Sequence, residues 1–209
     1  ELALAGALVR GLGSENIDSR LRAADPSVNA PAGQARWLGR PIAELSQLQR
    51  VLVVGSDLRK DHPLFAQRIR QAVRRGAQLS ALTDVAPAWA MTVRHGLVAD
   101  SAVWVQALAG IAAAVAAEKG VAAPVAVQAD DTQRAIAASL LGGEHKAVLL
   151  GNAAAHHEKA ASLLALAHFI AEHTGASVGY LTEAANTVGA QLVGAVPGQG
   201  GQHAGAMLT

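Results

Sequence analysis

Hydrophobic positions along the chain follow two periods, and their alternation marks out its elements. Val51–Val54 is a continuous apolar run closed by Gly55, as expected of a strand buried on both faces. Phe65, Ile69, Ala72 and Val73 then recur at helical spacing, while Gln67, Arg70, Gln71 and Arg74 fall on the opposite side, predicting an amphipathic helix. Asp61 is its cap candidate, Pro63 suits its first turn, and Gly76 ends it. Gln78–Leu82 alternates into a second strand that finishes near Asp84. This strand–helix–strand unit of about 34 residues has the size of a right-handed parallel crossover.

The rhythm continues downstream. A helix is predicted from Ser101 to Glu118, with Trp104, Leu108, Ile111 and Val115 on one face. Another starts at Asp130 or Asp131 and closes at Gly142-Gly143. Val148–Leu150 reads as a short buried strand, residues 157–173 as a helix apolar almost all round, and Ser177–Leu181 as a last strand. Alternating elements with Gly at the strand ends predict an α/β fold, a doubly wound, mostly parallel, Rossmann-like sheet over residues 45–182. Residues 1–44 form a lead-in, with a helix tail over 1–12 and no regular period over 13–44. Irregular stretches of that length are usually functional or pack on other parts of a protein. Residues 183–209 are Gly-rich and are expected to continue into a further part of the chain.

Composition narrows the function. The net charge is +1 and only 3% of the 209 residues are aromatic, so neither a broad electrostatic field nor a stacking platform for nucleic acid is expected. The absence of Cys excludes disulfides, thiolate nucleophiles and Cys-held zinc or iron–sulfur clusters within this sequence. Val103–Ala117 is the most membrane-like stretch, but as a helix it would span about 22 Å, short of a hydrocarbon core of ~30 Å. Direct membrane insertion is not expected. The chain opens with Glu1 and has no basic segment before an apolar one, so we expect no signal peptide and a piece of a longer protein.

Candidate chemistry gathers after the strands. The loop GSDLRKDHP (55–63) lies where doubly wound folds hold ligands, and Asp84 lies where an acidic residue could reach a ribose hydroxyl. A dinucleotide fingerprint needs three glycines, however, and this loop has only Gly55. Gly55, Ser56, Asp84 and His156 are therefore candidates for a vestigial nucleotide pocket rather than a working one. Arg59, Lys60, Arg68, Arg70, Arg74 and Arg75 form the most basic stretch, which suits either an acidic partner or a solvated helix face. His157 and His168 are about 16 Å apart along a helix and cannot share a metal. Neither a metal site nor a catalytic constellation is expected.

Several stretches together resemble the molybdopterin oxidoreductases. LVRGLGSENIDSRLR (8–22) is similar to the segment leading to their metal-ligand position. VLVVGSDLRKDHPLFAQRIRQAVRRGAQL (51–79) resembles their strand–loop–helix unit that cradles one guanine dinucleotide arm. AVLLGNAAAHH (147–157) and EAANTVGAQLVGAVP (183–197) resemble a later strand and a loop closing over the cofactor. Arg-Gly-Leu-Gly-Ser-x-Asn-Ile-Asp (10–18), Leu-Arg-Lys-x-x-Pro (58–63) and Ala-Asn-x-Val-Gly-Ala (185–190) are similar to one branch, the large peripheral-arm subunits of NADH:quinone oxidoreductase, or complex I.

That resemblance implies a scaffold domain without cofactor of its own. In the active enzymes of the family a Cys, selenocysteine, Ser or Asp binds molybdenum at positions matching about Ala23 and Ala24 here, with Asp25 one step away. Arg59 and Lys60 stand where those enzymes have smaller, more neutral residues. The iron–sulfur clusters would lie elsewhere in the parent subunit. The implied partners are the other subunits of the peripheral arm, on the cytoplasmic side of a bacterial inner membrane. Two alternatives remain open: an active domain holding molybdopterin guanine dinucleotide, and a free-standing nucleotide-binding Rossmann-like domain.

Overall fold

The computed structural model describes residues 1–20, 22, 25, 27 and 35–209. Its centre is a five-stranded sheet of β1 (Arg50–Val54), β2 (Gln78–Thr83), β3 (His95–Val98), β4 (Lys146–Leu150) and β5 (Ser177–Tyr180). The strands run in the order β3-β2-β1-β4-β5, and every neighbouring pair is parallel. This is the doubly wound arrangement expected from the sequence. Chain order reverses between β1 and β4, so the carboxyl ends of those two strands flank the topological switch point.

Side chains alternating along the strands build two cores. Leu52 and Val54 of β1, with Val148 and Leu150 of β4, face α4 (Trp104–Lys119), α5 (Asp131–Leu141) and α7 (Ala160–Thr174). Val51, Val53 and Leu149 face the other way, toward α3 (Pro63–Arg74), a 3-10 turn at Ile42–Gln47, and Trp89. β2 is buried from Leu79 onward on both faces, so its apparent alternation reflects the small Ser80 and Ala81 rather than a wet face. β3 was not expected: His95–Val98 is half exposed and too short to show a period. α5 begins as its sequence predicts, with the Asp130 carboxylate accepting from Gln133 N at 2.7 Å and Asp130 N donating to Gln133 Oε1 at 3.0 Å.

Two expected helices start later than the sequence predicts, each preceded by a separate short helix. α2 (Leu58–Asp61) precedes α3, and His62, not Asp61, is the residue before Pro63 at the start of α3. Asp61 instead accepts from Asp57 N at 3.1 Å. Likewise α6 (Asn152–Ala155) is separate from α7. With its leading 3-10 turn, α4 extends over Ser101–Lys119, long and apolar enough by length and composition to cross a membrane. Trp104, Leu108, Ile111 and Val115 are nevertheless buried in the first core, which explains the same apolarity by packing.

The two ends of the chain pack on each other. α1 (Leu2–Gly11) sends Arg10 to the Gly194 carbonyl at 2.8 Å and to Glu15 at 2.9 Å. Ser19 N donates to the Ala195 carbonyl at 3.0 Å, and Gln202 N to Asn16 Oδ1 at 2.8 Å. The segment from the end of α8 (Thr187–Leu192) to the start of α9 (Ala204–Met207) therefore lies against residues 10–19. Trp37 and Leu38 run beside β5, where the Trp37 carbonyl accepts from Tyr180 N at 2.8 Å.

Asp18 fixes this junction. Its side chain is 2% exposed and meets Arg20 through two contacts, of 2.8 and 3.1 Å, while Ala204 N donates to it at 3.1 Å. Burial pushes its carboxyl up, but the Arg20 and Ala204 hydrogen bonds and the Arg20 charge outweigh that and hold it below the ordinary carboxylate value. A depressed folded value makes the contribution fully present above the unfolded value of about 4 and lost as pH falls through the folded one. Acid titration followed by hydrogen exchange should release residues 194–207 in that window, before the sheet. Asp18→Ala, which deletes the buried pair at neutral pH, should cost about 3 kcal/mol in denaturant unfolding and abolish that acid step.

Candidate functional site

The loops after β1 and β4 meet at the switch point and leave no crevice between them. Gly55 follows β1 with φ of 63°, a conformation that favours glycine. Its N–H donates to the Leu82 carbonyl at 2.9 Å, and its own carbonyl accepts from Ala153 N at 3.0 Å. Gly151 N donates to the Val54 carbonyl at 2.8 Å. A Cβ on Gly55 would lie 2.6 Å from Ala154 N and 2.7 Å from the Trp104 ring, and one on Gly151 would lie 2.2 Å from Ser56 Cβ. The N–H groups of Gly55, Gly151 and Ala153 are thus turned to protein carbonyls.

Ser56 is buried beneath this contact, with its hydroxyl 3.3 Å from His62 Nδ1. His62 Nε2 lies 3.2 Å from the Thr182 carbonyl, which can only accept. The imidazole therefore donates from Nε2 and receives the Ser56 hydroxyl at Nδ1. Burial pulls its pKa below the ordinary imidazole value despite the Thr182 bond and the nearby Asp61 charge. The arrangement clips the β1 loop to the loop after β5.

Open space lies one strand further along. A cleft of about 470 Å³ is framed by α6, the end of β5, α8 and the lead-in. Arg20, Arg22, Arg36, His156, Tyr180 and Glu183 are among the residues lining it. Glu183 is 2.6 Å from Arg22 Nη1 and 3.0 Å from His156 Nε2. The Arg36 guanidinium stands over the Tyr180 ring, 5.7 Å from its centroid. Burial raises the Tyr180 phenol, with Arg36 opposing, so the hydroxyl keeps its proton at neutral pH. Tyr180 Oη and Asn152 Oδ1 are both buried without a hydrogen-bond partner.

The four candidate pocket residues do not converge. Gly55 and Ser56 form the closed switch point, and His156 lines the cleft. Asp84 is exposed just beyond β2 and is not among the cleft residues. Ala23 and Ala24 lie outside the described residues. Asp25 accepts from Ala161 N at 2.9 Å; burial raises its carboxyl, but the Ser27 and Ala161 hydrogen bonds and the Arg36 charge hold it lower. Among the described residues no three His, Asp or Glu side chains gather as a metal site would require. The sequence reading missed Arg36, Tyr180 and Glu183, which join only through tertiary contact.

Because the switch point is packed, Gly55→Ala should cost 2 kcal/mol or more, about the scale of overpacking with a strained φ. Urea unfolding would measure this. An unchanged midpoint would mean that the two loops part readily.

A comparison with curated proteins gives no match. Among solved structures the chain is similar to part of the formyltransferase/hydrolase complex (FhcABCD) from Methylorubrum extorquens, a structure determined with methylofuran. The likeness has a TM-score of 0.53 at 14% identity and covers 87% of this chain. It spans 50% of that chain, and at this identity it speaks for the fold alone. The family model described as molybdopterin oxidoreductase matches residues 1–208, and the chain belongs to that family.

Proposed function

We propose that the chain is a cofactor-free scaffold domain of the peripheral arm of a respiratory NADH:quinone oxidoreductase, complex I, supporting electron transfer from NADH to quinone by shape and contacts. The observation that carries this reading is the closed switch point, where Gly55 and Gly151 touch neighbouring atoms and the N–H of Ala153 is already bonded. The residues do not fit a molybdenum-bearing guanine dinucleotide. The loop that should cradle one arm has no room, and Ala at positions 23 and 24 supplies no ligating atom.

Two surfaces suit docking among subunits. Arg59, Lys60, Arg70, Arg74 and Arg75 are exposed around α2 and α3. Leu4 and Leu8 of α1 and Leu12 just after it are exposed, an apolar stretch that water does not favour. Iron–sulfur clusters would reside elsewhere in the parent subunit. In a bacterial cell the domain would be held peripherally at the cytoplasmic side of the inner membrane. The alternative is an active molybdopterin guanine dinucleotide domain, favoured by the arginines that line the cleft.

Purifying the full-length parent from native membranes and measuring molybdenum and acid-released guanine against iron separates the two. Iron without stoichiometric molybdenum or guanine is the expected result. About one molybdenum and two guanines per chain would overturn the scaffold reading.

A further inference from the structure

We propose that the groove between α3 and residues 90–92 docks an acidic amphipathic helix of a partner protein. That helix would offer carboxylates one turn apart with an apolar side chain on the same face. The proposal rests on the reading of the chain as a docked scaffold domain and names the chemistry of one partner.

Charge on α3 is one-sided. The helix holds Arg68, Arg70 and Arg74 and no acidic residue, and Arg75 follows it. Arg70 and Arg74 are exposed, and neither meets a carboxylate among the described residues. They stand one turn apart, which makes their side chains neighbours at about 6 Å. Arg74, at the helix end, gains from the macrodipole, but Arg70 lies a turn further in, where that effect has faded. Each guanidinium can hold a carboxylate through paired hydrogen bonds. Carboxylates at i and i+4 of a second helix match the spacing of the two arginines.

The arginines border a concave space with apolar walls. A groove of about 460 Å³ is lined by Arg70, Val73, Arg74, Ala90, Met91 and Thr92. Val73 and Met91 pack against the second core but are only partly buried, so an aliphatic side chain from a partner would complete their cover. The chain on both sides holds the 90–92 wall in place. Trp89 is 4% exposed in that core, Val93 packs against it, and Arg94 N donates to the Leu79 carbonyl at 2.7 Å. Between these anchors Ala90 has φ of 54°, a left-handed conformation that alanine seldom adopts and that costs the backbone energy. A solvated helix face needs neither this wall nor an apolar groove. A phospholipid surface or a nucleic acid would meet the arginines through phosphate and leave Val73 and Met91 uncovered. A peptide carrying both carboxylates and an aliphatic side chain satisfies the whole groove.

Fluorescence anisotropy of the purified full-length parent chain with labelled helical peptides tests the site. The probe repeats Glu at i and i+4 with Leu on the same face; one control has Lys for Glu, another Ser for Leu. The probe should bind saturably, and more weakly as salt rises. The Ser control should bind about tenfold more weakly, and the Lys control not measurably. Arg70→Gln and Arg74→Gln should each weaken the probe several-fold. Thr92→Asp, which sets a like charge in the groove, should weaken it about tenfold. Arg59→Gln on α2, outside the groove, should leave it unchanged. All four positions are exposed, and circular dichroism checks that each variant folds. The proposal fails if the probe does not saturate, if Arg59→Gln weakens it as much as Arg70→Gln, or if the Ser control binds equally well. Phosphatidylglycerol vesicles bound through Arg70 and Arg74, with no binding of the probe, would overturn it in favour of a membrane. None of these outcomes alters the molybdenum and guanine content, which decides the scaffold reading separately.

Discussion

Contact between the loops after β1 and β4 is the constraint on which the site architecture depends. A parallel sheet that reverses direction at this point would ordinarily leave a crevice beyond the two strand ends. Here Gly55 turns back through a positive φ, and its carbonyl takes the Ala153 N–H at the start of α6. Trp104 packs over the same turn, with its indole nitrogen donating to the Ala99 carbonyl at 2.9 Å. Tryptophan buries a large apolar area only where its N–H finds a partner. Closing the crevice therefore joins β1, β4, α4 and α6 in one packed knot.

The ends of the chain form a second layer over the carboxyl side of the sheet. Their elements are short: α8 has six residues and α9 has four. Helices of that length do not persist in water by themselves. Their order comes from tertiary bonds, with Arg10 reaching the 194–196 carbonyls and the buried Asp18–Arg20 pair receiving Ala204 N. The space between this layer and β5 is the cleft, so its shape depends on polar contacts between residues far apart in sequence.

The core was legible in the sequence because its periods are strong. The apolar run of β1, the stripe of α3, the Asp130 cap and the Trp104 face of α4 each stand where the pattern places them. β3 escaped because four half-exposed residues carry no period. The molybdopterin oxidoreductase resemblance rested on motifs in order along the chain, and the family match over residues 1–208 agrees with it. Arg36 and Tyr180 gave no local signal, because a cleft between distant segments has no sequence period, and Glu183 stood out only as the first residue of the 183–197 stretch. The orphaned Asn152 and Tyr180 atoms are visible only after packing is known.

The break between α6 and α7 shows how one pair of adjacent histidines serves both layers. An apolar run over 157–173 suggests one helix, yet α7 begins only at Ala160. His157 is the reason: its Nε2 meets the Ser101 carbonyl at 2.9 Å, its Nδ1 accepts from Lys159 N at 2.9 Å, and its ring stacks on Trp104. Those bonds draw position 157 into the core and satisfy a backbone donor at the start of α7. The chain must turn to do so, and the turn leaves His156 facing the cleft beside Glu183. Packing that closes the switch point through Trp104 is thus the same packing that sets one wall of the open cleft.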